Sequence, residues 1–249
     1  MQQEDVWTHI PSKSKRHRKP ALISTTNLPL KDLTLSKLSA EFHTKLKTWQ
    51  HSSCRQTALR LLSRIRPEKG WNLHKAICLG SGSLSRENWE CRRRSVWQFV
   101  VFYDLARHLL GTEHDCTLYA QEPAFTELDG KFLATLGISV LESQVGIVGM
   151  GAAGSELGGE TFLFEPFVDM DSGMLEAMLK GGVGLYMGSS IGGILERREG
   201  SEVGRLSKEF CRGREMLKFP MFEIEPNVLD GMRIYWREES DEDDDEGAV

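Results

Sequence analysis

Apolar residues recur along this chain with two periods, and each change of period marks a change of element. Between residues 30 and 66, Leu35, Leu38, Phe42, Leu46 and Trp49 fall at three- and four-residue steps, which is one face of an amphipathic helix. A second helical piece around Leu59, Leu62 and Ile65 ends before Pro67. Ala76 to Leu79 form a short unbroken apolar run that stops at Gly80, the pattern of a buried strand. From Glu87 to Leu110 the helical spacing returns: Val96, Phe99, Val100, Tyr103, Ala106 and Leu110 make a stripe that stops near Gly111.

Thr117 to Gln121 read as a second strand, broken by Glu122-Pro123. "TELDGKFLATLGI" follows as a helix with Thr126 as N-cap, acidic residues in the first turn and Gly137 at its close. "SVLES" reads as a third strand, "ETFLFEPF" as a fourth, "SGMLEAMLKGG" as a helix with a Gly-Gly cap, and "VGLYMGSS" as a fifth strand. The glycine-rich stretch from Gly146 to Gly159 reads as a loop with at most a short extended piece. Strands alternating with helices predict an α/β fold, a Rossmann-like three-layer sandwich with a mainly parallel sheet.

The 249 residues, 40% of them hydrophobic, suffice for one full core with tails. The expected organisation is a disordered basic arm over residues 1–29, a helical extension packing on the core over 30–69, the Rossmann-like domain over 70–235 and a disordered acidic tail over 236–249. Charge sharpens the two ends. The net charge of −5 is concentrated in eight acidic side chains from Glu238 to Glu246, which leaves the remainder near +3. Lys13, Lys15, Arg16, Arg18 and Lys19 cluster without apolar periodicity, as in a nuclear-import signal, a weak nucleic-acid contact or a plain solvated tail.

Five cysteines, odd in number and never in a Cys-x-x-Cys pair, speak against a disulfide scaffold and a structural zinc site, and place the chain in a reducing compartment. No apolar stretch approaches the roughly 18 residues of a membrane span, and the N-terminal stretch has no signal-peptide pattern. The cytoplasm, the nucleus or both are expected, with no membrane contact.

The loop Gly80-Ser81-Gly82-Ser83 ends the first strand, where a Rossmann-like fold brings backbone amides to a phosphate or nucleoside. The dinucleotide pattern wants a third glycine where Ser85 stands, and the Gly-x-Gly-x-Gly of methyl-donor sites wants one where Leu84 stands. Glu122 ends the second strand, the position of a ribose-binding acid. Glycines at a strand-to-helix turn also serve geometry alone, so both readings stay open.

Gly188-Ser189-Ser190-Ile191-Gly192 matches a nucleophile elbow, but no histidine follows His114, so the general base of a hydrolase is missing. His108, His114, Asp115 and Cys116 lie close in sequence, yet their spacing fits no closed metal site, and no metal is expected. Arg92, Arg93 and Arg94 read as a solvated charged face of the long helix, with an anionic partner as the alternative.

Four stretches carry a resemblance: "CLGSGSL", "SVWQFVVFYDLARHL", "LYAQEPAFTELDGKFLATLGISVLES" and "ETFLFEPFVDM". Together they resemble the Sensitivity to Red light Reduced family, the SRR1-like domain proteins, and its fungal members especially. The matching positions are Gly80, Gly82, Ser83, Ser95, Gln98, Glu122, Pro123, Phe125, Thr126, Asp129, Leu136 and Gly137, with "CRGREMLKFPMFE" similar to a closing Arg-x-x-x-Met segment. The resemblance covers about residues 70 to 220. The chain departs from it where the family's Asp-Pro is Glu122-Pro123, its Met-Pro-His-Cys is Glu165-Pro166-Phe167-Val168, and its Gly-Asn-Ser-Phe is Gly188-Ser189-Ser190-Ile191. The missing His and Cys are the groups best able to bind metal or haem iron or to move a proton.

The resemblance implies a regulatory role, as in light signalling and circadian control. Three readings follow. The chain is a non-catalytic regulator that binds a nucleotide-like ligand at Gly80, Ser81, Gly82, Ser83 and Glu122; or an enzyme with a nucleotide cofactor, such as an S-adenosylmethionine-dependent methyltransferase; or a pure interaction scaffold. The motifs single out no cofactor and no catalytic residue. Protein partners are expected, and nucleic acid only as a weak contact of the basic arm.

Overall fold

The structure, a computed structural model, describes residues 28–111, 116–143, 149–166 and 168–237. The basic cluster at 13–19, His114, Asp115, Phe167 and the acidic run at 238–246 lie outside the described residues.

Two helices open the described chain, α1 (Leu35–Gln50) and α2 (Ser53–Arg64), and their start signals are local: the side chains of Thr34 and Ser52 accept the backbone N–H groups of Lys37 and Arg55. Then come β1 (Lys75–Leu79), α3 (Trp89–Leu110), β2 (Thr117–Gln121), α4 (Glu127–Thr135) and β3 (Ile138–Val140). The second half contains α5 (Gly151–Ser155), β4 (Thr161–Glu165), α6 (Ser172–Gly181), β5 (Leu185–Gly188), α7 (Ile191–Arg197), α8 (Glu202–Cys211), β6 (Glu215–Lys218) and β7 (Arg233–Trp236).

The seven strands form one sheet in the order β3-β2-β1-β4-β5-β7-β6. The pairs from β3 to β5 are parallel, while β7 runs antiparallel between β5 and β6. Chain order reverses between β1 and β4, which makes that pair the topological switch point of the sheet.

Side-chain alternation along the strands builds the two outer layers. Ala76, Cys78, Phe162, Phe164, Leu185, Met187 and Ile234 face α1 to α4 in one apolar cluster. Ile77, Leu79, Leu163, Tyr186 and Tyr235 face the other way, among residues of α5 to α8. β4 is buried along its whole length, as its apolar sequence requires. Phe102 of α3 lies over Phe162 and Phe164 with ring centroids 6.2 and 5.9 Å away, so truncating either strand ring to Ala is expected to cost about 3–5 kcal/mol.

The α1–α2 pair is tied to α3 by polar groups as well. Asp104, buried on α3, accepts Trp49 Nε1 at 2.9 Å, Gln50 Nε2 at 3.2 Å and Arg55 Nε at 2.6 Å. Arg92 pairs with Glu41 of α1, and Arg93 pairs with Glu225 at 2.6 Å. The three arginines therefore do not form a uniform solvated face.

Three regions differ from the sequence-based expectation. The glycine-rich stretch contains the short helix α5, because the Gln121 amide supplies both a donor and an acceptor to its first turn: Nε2 donates to the Met150 carbonyl and Oε1 accepts the Ala153 N–H, each at 2.8 Å. The third strand is Ile138–Val140 rather than "SVLES", set by its pairing with Leu118 to Ala120. The segment after α7 holds α8, β6 and β7, of which β7 is only four residues long and gains its order by lying between two other strands.

Candidate functional site

The sequence-predicted residues meet where β1 and β2 end. Gly80 and Gly82 have φ of +73° and +75°, a conformation open to glycine, and a Cβ at either would collide, with Val168 Cγ2 at Gly80 and with Ser95 Oγ at Gly82. Glu122 clasps this turn: Oε2 accepts the Gly82 N–H at 2.9 Å and Oε1 accepts the Ala124 N–H at 2.9 Å.

A second clasp lies deeper. The Ser83 hydroxyl donates to Asp129 Oδ2 at 2.6 Å, and the same oxygen accepts the Thr126 N–H at 2.8 Å. Thr126 Oγ1 accepts the Asp129 N–H in return, completing a capping box on α4, and sits 2.7 Å from Ser85 Oγ. The "GSGSLS" loop is thereby fastened to the N-terminus of α4.

The other motif positions support this frame. Ser95 backs Gly82 and donates to the Cys91 carbonyl at 2.9 Å; Gln98 donates to the Val228 carbonyl at 3.1 Å. Phe125 packs on the apolar cluster, Pro123 lines the cleft described next, and Gly137 with φ +74° closes α4 at its far end.

A cleft of about 350 Å³ opens at the carboxyl ends of β1 and β2, walled by Gly80, Gln121, Glu122, Val168 and Met174. Such a volume lies at the low end of the roughly 300–1,000 Å³ of small-molecule sites. The Ser143 hydroxyl at its edge is buried without a hydrogen-bond partner among the described residues. Larger hollows of about 490 and 500 Å³ lie along α2, one against β6 and the C-terminal end of β7 and the other against the end of α3. They sit away from the carboxyl ends of the parallel strands, where α/β sheets hold ligands, so the smaller cleft is the candidate.

Glu165 holds the opposite wall. It is fully buried at the end of β4, where it accepts the N–H of Val168, the Tyr186 hydroxyl at 2.8 Å and the Ser189 N–H at 3.1 Å. Burial pushes its carboxyl above the usual carboxylate range, with the three donors pulling the other way. Burial likewise pushes the Tyr186 hydroxyl and the Cys78 thiol behind the glycine loop well up, so neither offers an ionised nucleophile. Sequence reasoning met Glu165 and Val168 only as departures from the family's Met-Pro-His-Cys, and it missed Gln121, Met174 and Ser143. A glutamine ending an apolar strand was the one available signal.

The fold and site define a Rossmann-like α/β protein with a cleft at the switch point. Its sequence places it further: the SRR1 domain model matches residues 38–236, and the chain belongs to the SRR1 family. The match takes in most of α1, all of α2 and the sheet through β7. No curated protein matches the chain in sequence.

Among solved structures, the chain is similar to a putative O-methyltransferase from Klebsiella pneumoniae, at 13% identity over 82% of this chain and 90% of that one, with a TM-score of 0.38. It is also similar to cofactor-bound Rv0187 from MTB, at 10% identity over 81% and 90%, TM-score 0.38. A third is the O-methyltransferase TomG from Streptomyces achromogenes in complex with SAM, at 15% identity over 85% and 92%, TM-score 0.37. Likeness at this level carries nothing about activity. Among the described residues no helix is long and apolar enough to cross a membrane.

Proposed function

We propose that this SRR1 family member is a regulatory protein that binds a small nucleoside-bearing ligand in the cleft between Glu122 and Val168 and signals through protein partners. The observation that carries the ligand half is the cleft itself: it stands at the switch point, beside a glycine turn, with a glutamate at the end of β2 where a ribose hydroxyl finds an acceptor. The Ser143 hydroxyl, buried and without a partner among the described residues, supports it. The regulatory half rests on the family.

The acids that fasten the cleft walls favour binding over turnover. Glu165 accepts three donors, Glu122 two backbone amides with one lone pair left on each oxygen, and Asp171 the N–H groups of Met174 and Gly149. Each holds backbone in place, whereas a general base needs a lone pair aimed at a substrate proton.

The test is a calorimetric titration of the full chain with adenosine, S-adenosylmethionine, NAD and ATP, repeated with Val168→Trp, which puts an indole across the cleft. Saturable binding of a probe that the folded variant loses is expected, with the probe recovered unchanged by mass spectrometry. Conversion of the probe would make the chain an enzyme, and failure of all four to bind would leave an interaction scaffold.

A further inference from the structure

We infer that the nucleoside site continues past the Gly80–Gly82 turn and takes, as its second part, a zwitterionic amino-acid tail. This rests on the ligand-binding reading above and specifies the class of ligand.

The three consecutive arginines of α3 have separate fates. Arg92 pairs with Glu41 and Arg93 with Glu225. The Arg94 side chain has no ion pair or hydrogen bond among the described residues, and it lines a second cleft, of about 340 Å³. Arg86, half-buried and likewise without a side-chain partner among the described residues, lines the same cleft, as do Glu90 and the hydroxyl-bearing Ser81 and Ser95. Gly80 and Glu122 belong to the walls of both clefts, so a ligand seated in the first reaches the second along the turn.

Charge selects the tail. The two guanidiniums of the second cleft are balanced by two carboxylates, Glu90 and Glu122. A diphosphate brings two or more negative charges to a cleft with no net positive charge, and meets both carboxylates as like charges. A neutral tail gains nothing from the two guanidiniums, which stay hydrated. An α-amino acid presents both signs on adjacent atoms: its carboxylate suits the planar fork of an arginine, and its ammonium suits a glutamate. The two oxygens of Glu122 already accept backbone N–H groups, but each retains a second lone pair for such a donor.

The test is titration calorimetry of the full chain with three probes that share a nucleoside: adenosine, S-adenosylhomocysteine with its amino-acid tail, and ADP. S-adenosylhomocysteine is expected to bind at least about tenfold more tightly than adenosine, and ADP no more tightly than adenosine. Arg94 is exposed, so Arg94→Ala leaves the fold intact by thermal melting. That variant is expected to erase the advantage of the amino-acid tail while adenosine binding stays unchanged. The inference is overturned if adenosine binds and S-adenosylhomocysteine binds no better, if ADP binds tightest, or if Arg94→Ala weakens adenosine equally. Failure of all three probes to bind instead overturns the nucleoside reading on which it rests.

Discussion

On the β1–β2 side of the switch point, the loop is held by acids whose partners lie within one turn of chain or on the adjoining loop. Glu122 takes the amides of Gly82 and Ala124, and Asp129 takes the Ser83 hydroxyl and the Thr126 amide. On the β4–β5 side, Glu165 sits at the end of a strand buried on both faces and draws in a tyrosine and two loop amides from separate elements. Both sides use a carboxylate to fasten loop backbone at the cleft. The difference is the pairing: the first clasp is a helix cap with one buried oxygen, Asp129 Oδ1, without a partner among the described residues, and the second has both oxygens engaged. The β4–β5 wall is accordingly the one whose loss costs most, because three donors, the buried Tyr186 hydroxyl among them, lose their acceptor at once.

The largest effect is expected from Glu165→Leu, which strands the Tyr186 hydroxyl and the amides of Val168 and Ser189. Urea denaturation is expected to show a loss of about 3–5 kcal/mol. A loss below about 1 kcal/mol would mean that the two clasps are equivalent. Asp129→Ala removes half the capping box and the acceptor of the Ser83 hydroxyl, with an expected cost of about 2–3 kcal/mol by the same measurement. A cost equal to that of Glu165→Leu would erase the contrast between the two sides.

Ser83→Ala keeps the cap and loses only the tie between loop and helix, at about 1 kcal/mol. Its sharper readout is hydrogen exchange, where the amide of Ser85, which donates to Ser83 Oγ at 3.2 Å, is expected to lose protection while that of Asp129 keeps it. Loss of protection at both would merge loop and cap into a single unit.

The last prediction separates the clasps by pH. Burial raises the Glu165 carboxyl above its value in the unfolded chain, so its stabilising contribution is fullest below about pH 4.3 and declines as pH rises through the raised folded-state value. The stability gap between the wild type and Glu165→Gln is therefore expected to narrow as pH rises from about 4 toward neutrality. A gap that widens over that range would show that the three donors outweigh burial.

Gly82→Val, the obvious way to block the loop from sequence alone, tests something else. At φ +75° and against Ser95 Oγ, a β-branched side chain breaks the turn rather than occupying a ligand's place. The motif residues were legible because their chemistry is short-range: Thr126 and Asp129 announce an N-cap three residues apart, and Gly80 announces the end of an apolar run. That Ser83 reaches Asp129, 46 positions on, was not legible, although both had been picked out as motif positions.

By itself the sequence determined what depends on neighbours along the chain: the alternation of strands and helices, the apolar runs of β1 and β4, the caps of α4 and α6, and the order of the family motif. These follow from periodicity and from side chains that bond backbone within a few residues. Only the tertiary structure decided the rest. The insertion of β7 beside β5, the capture of Ala153 by Gln121 that makes α5, the burial of Glu165 against Tyr186, and the separation of Arg94 from Arg92 and Arg93 each depend on groups brought together from distant segments. A local pattern carries no record of which distant donor will meet an acid once water has been excluded from it.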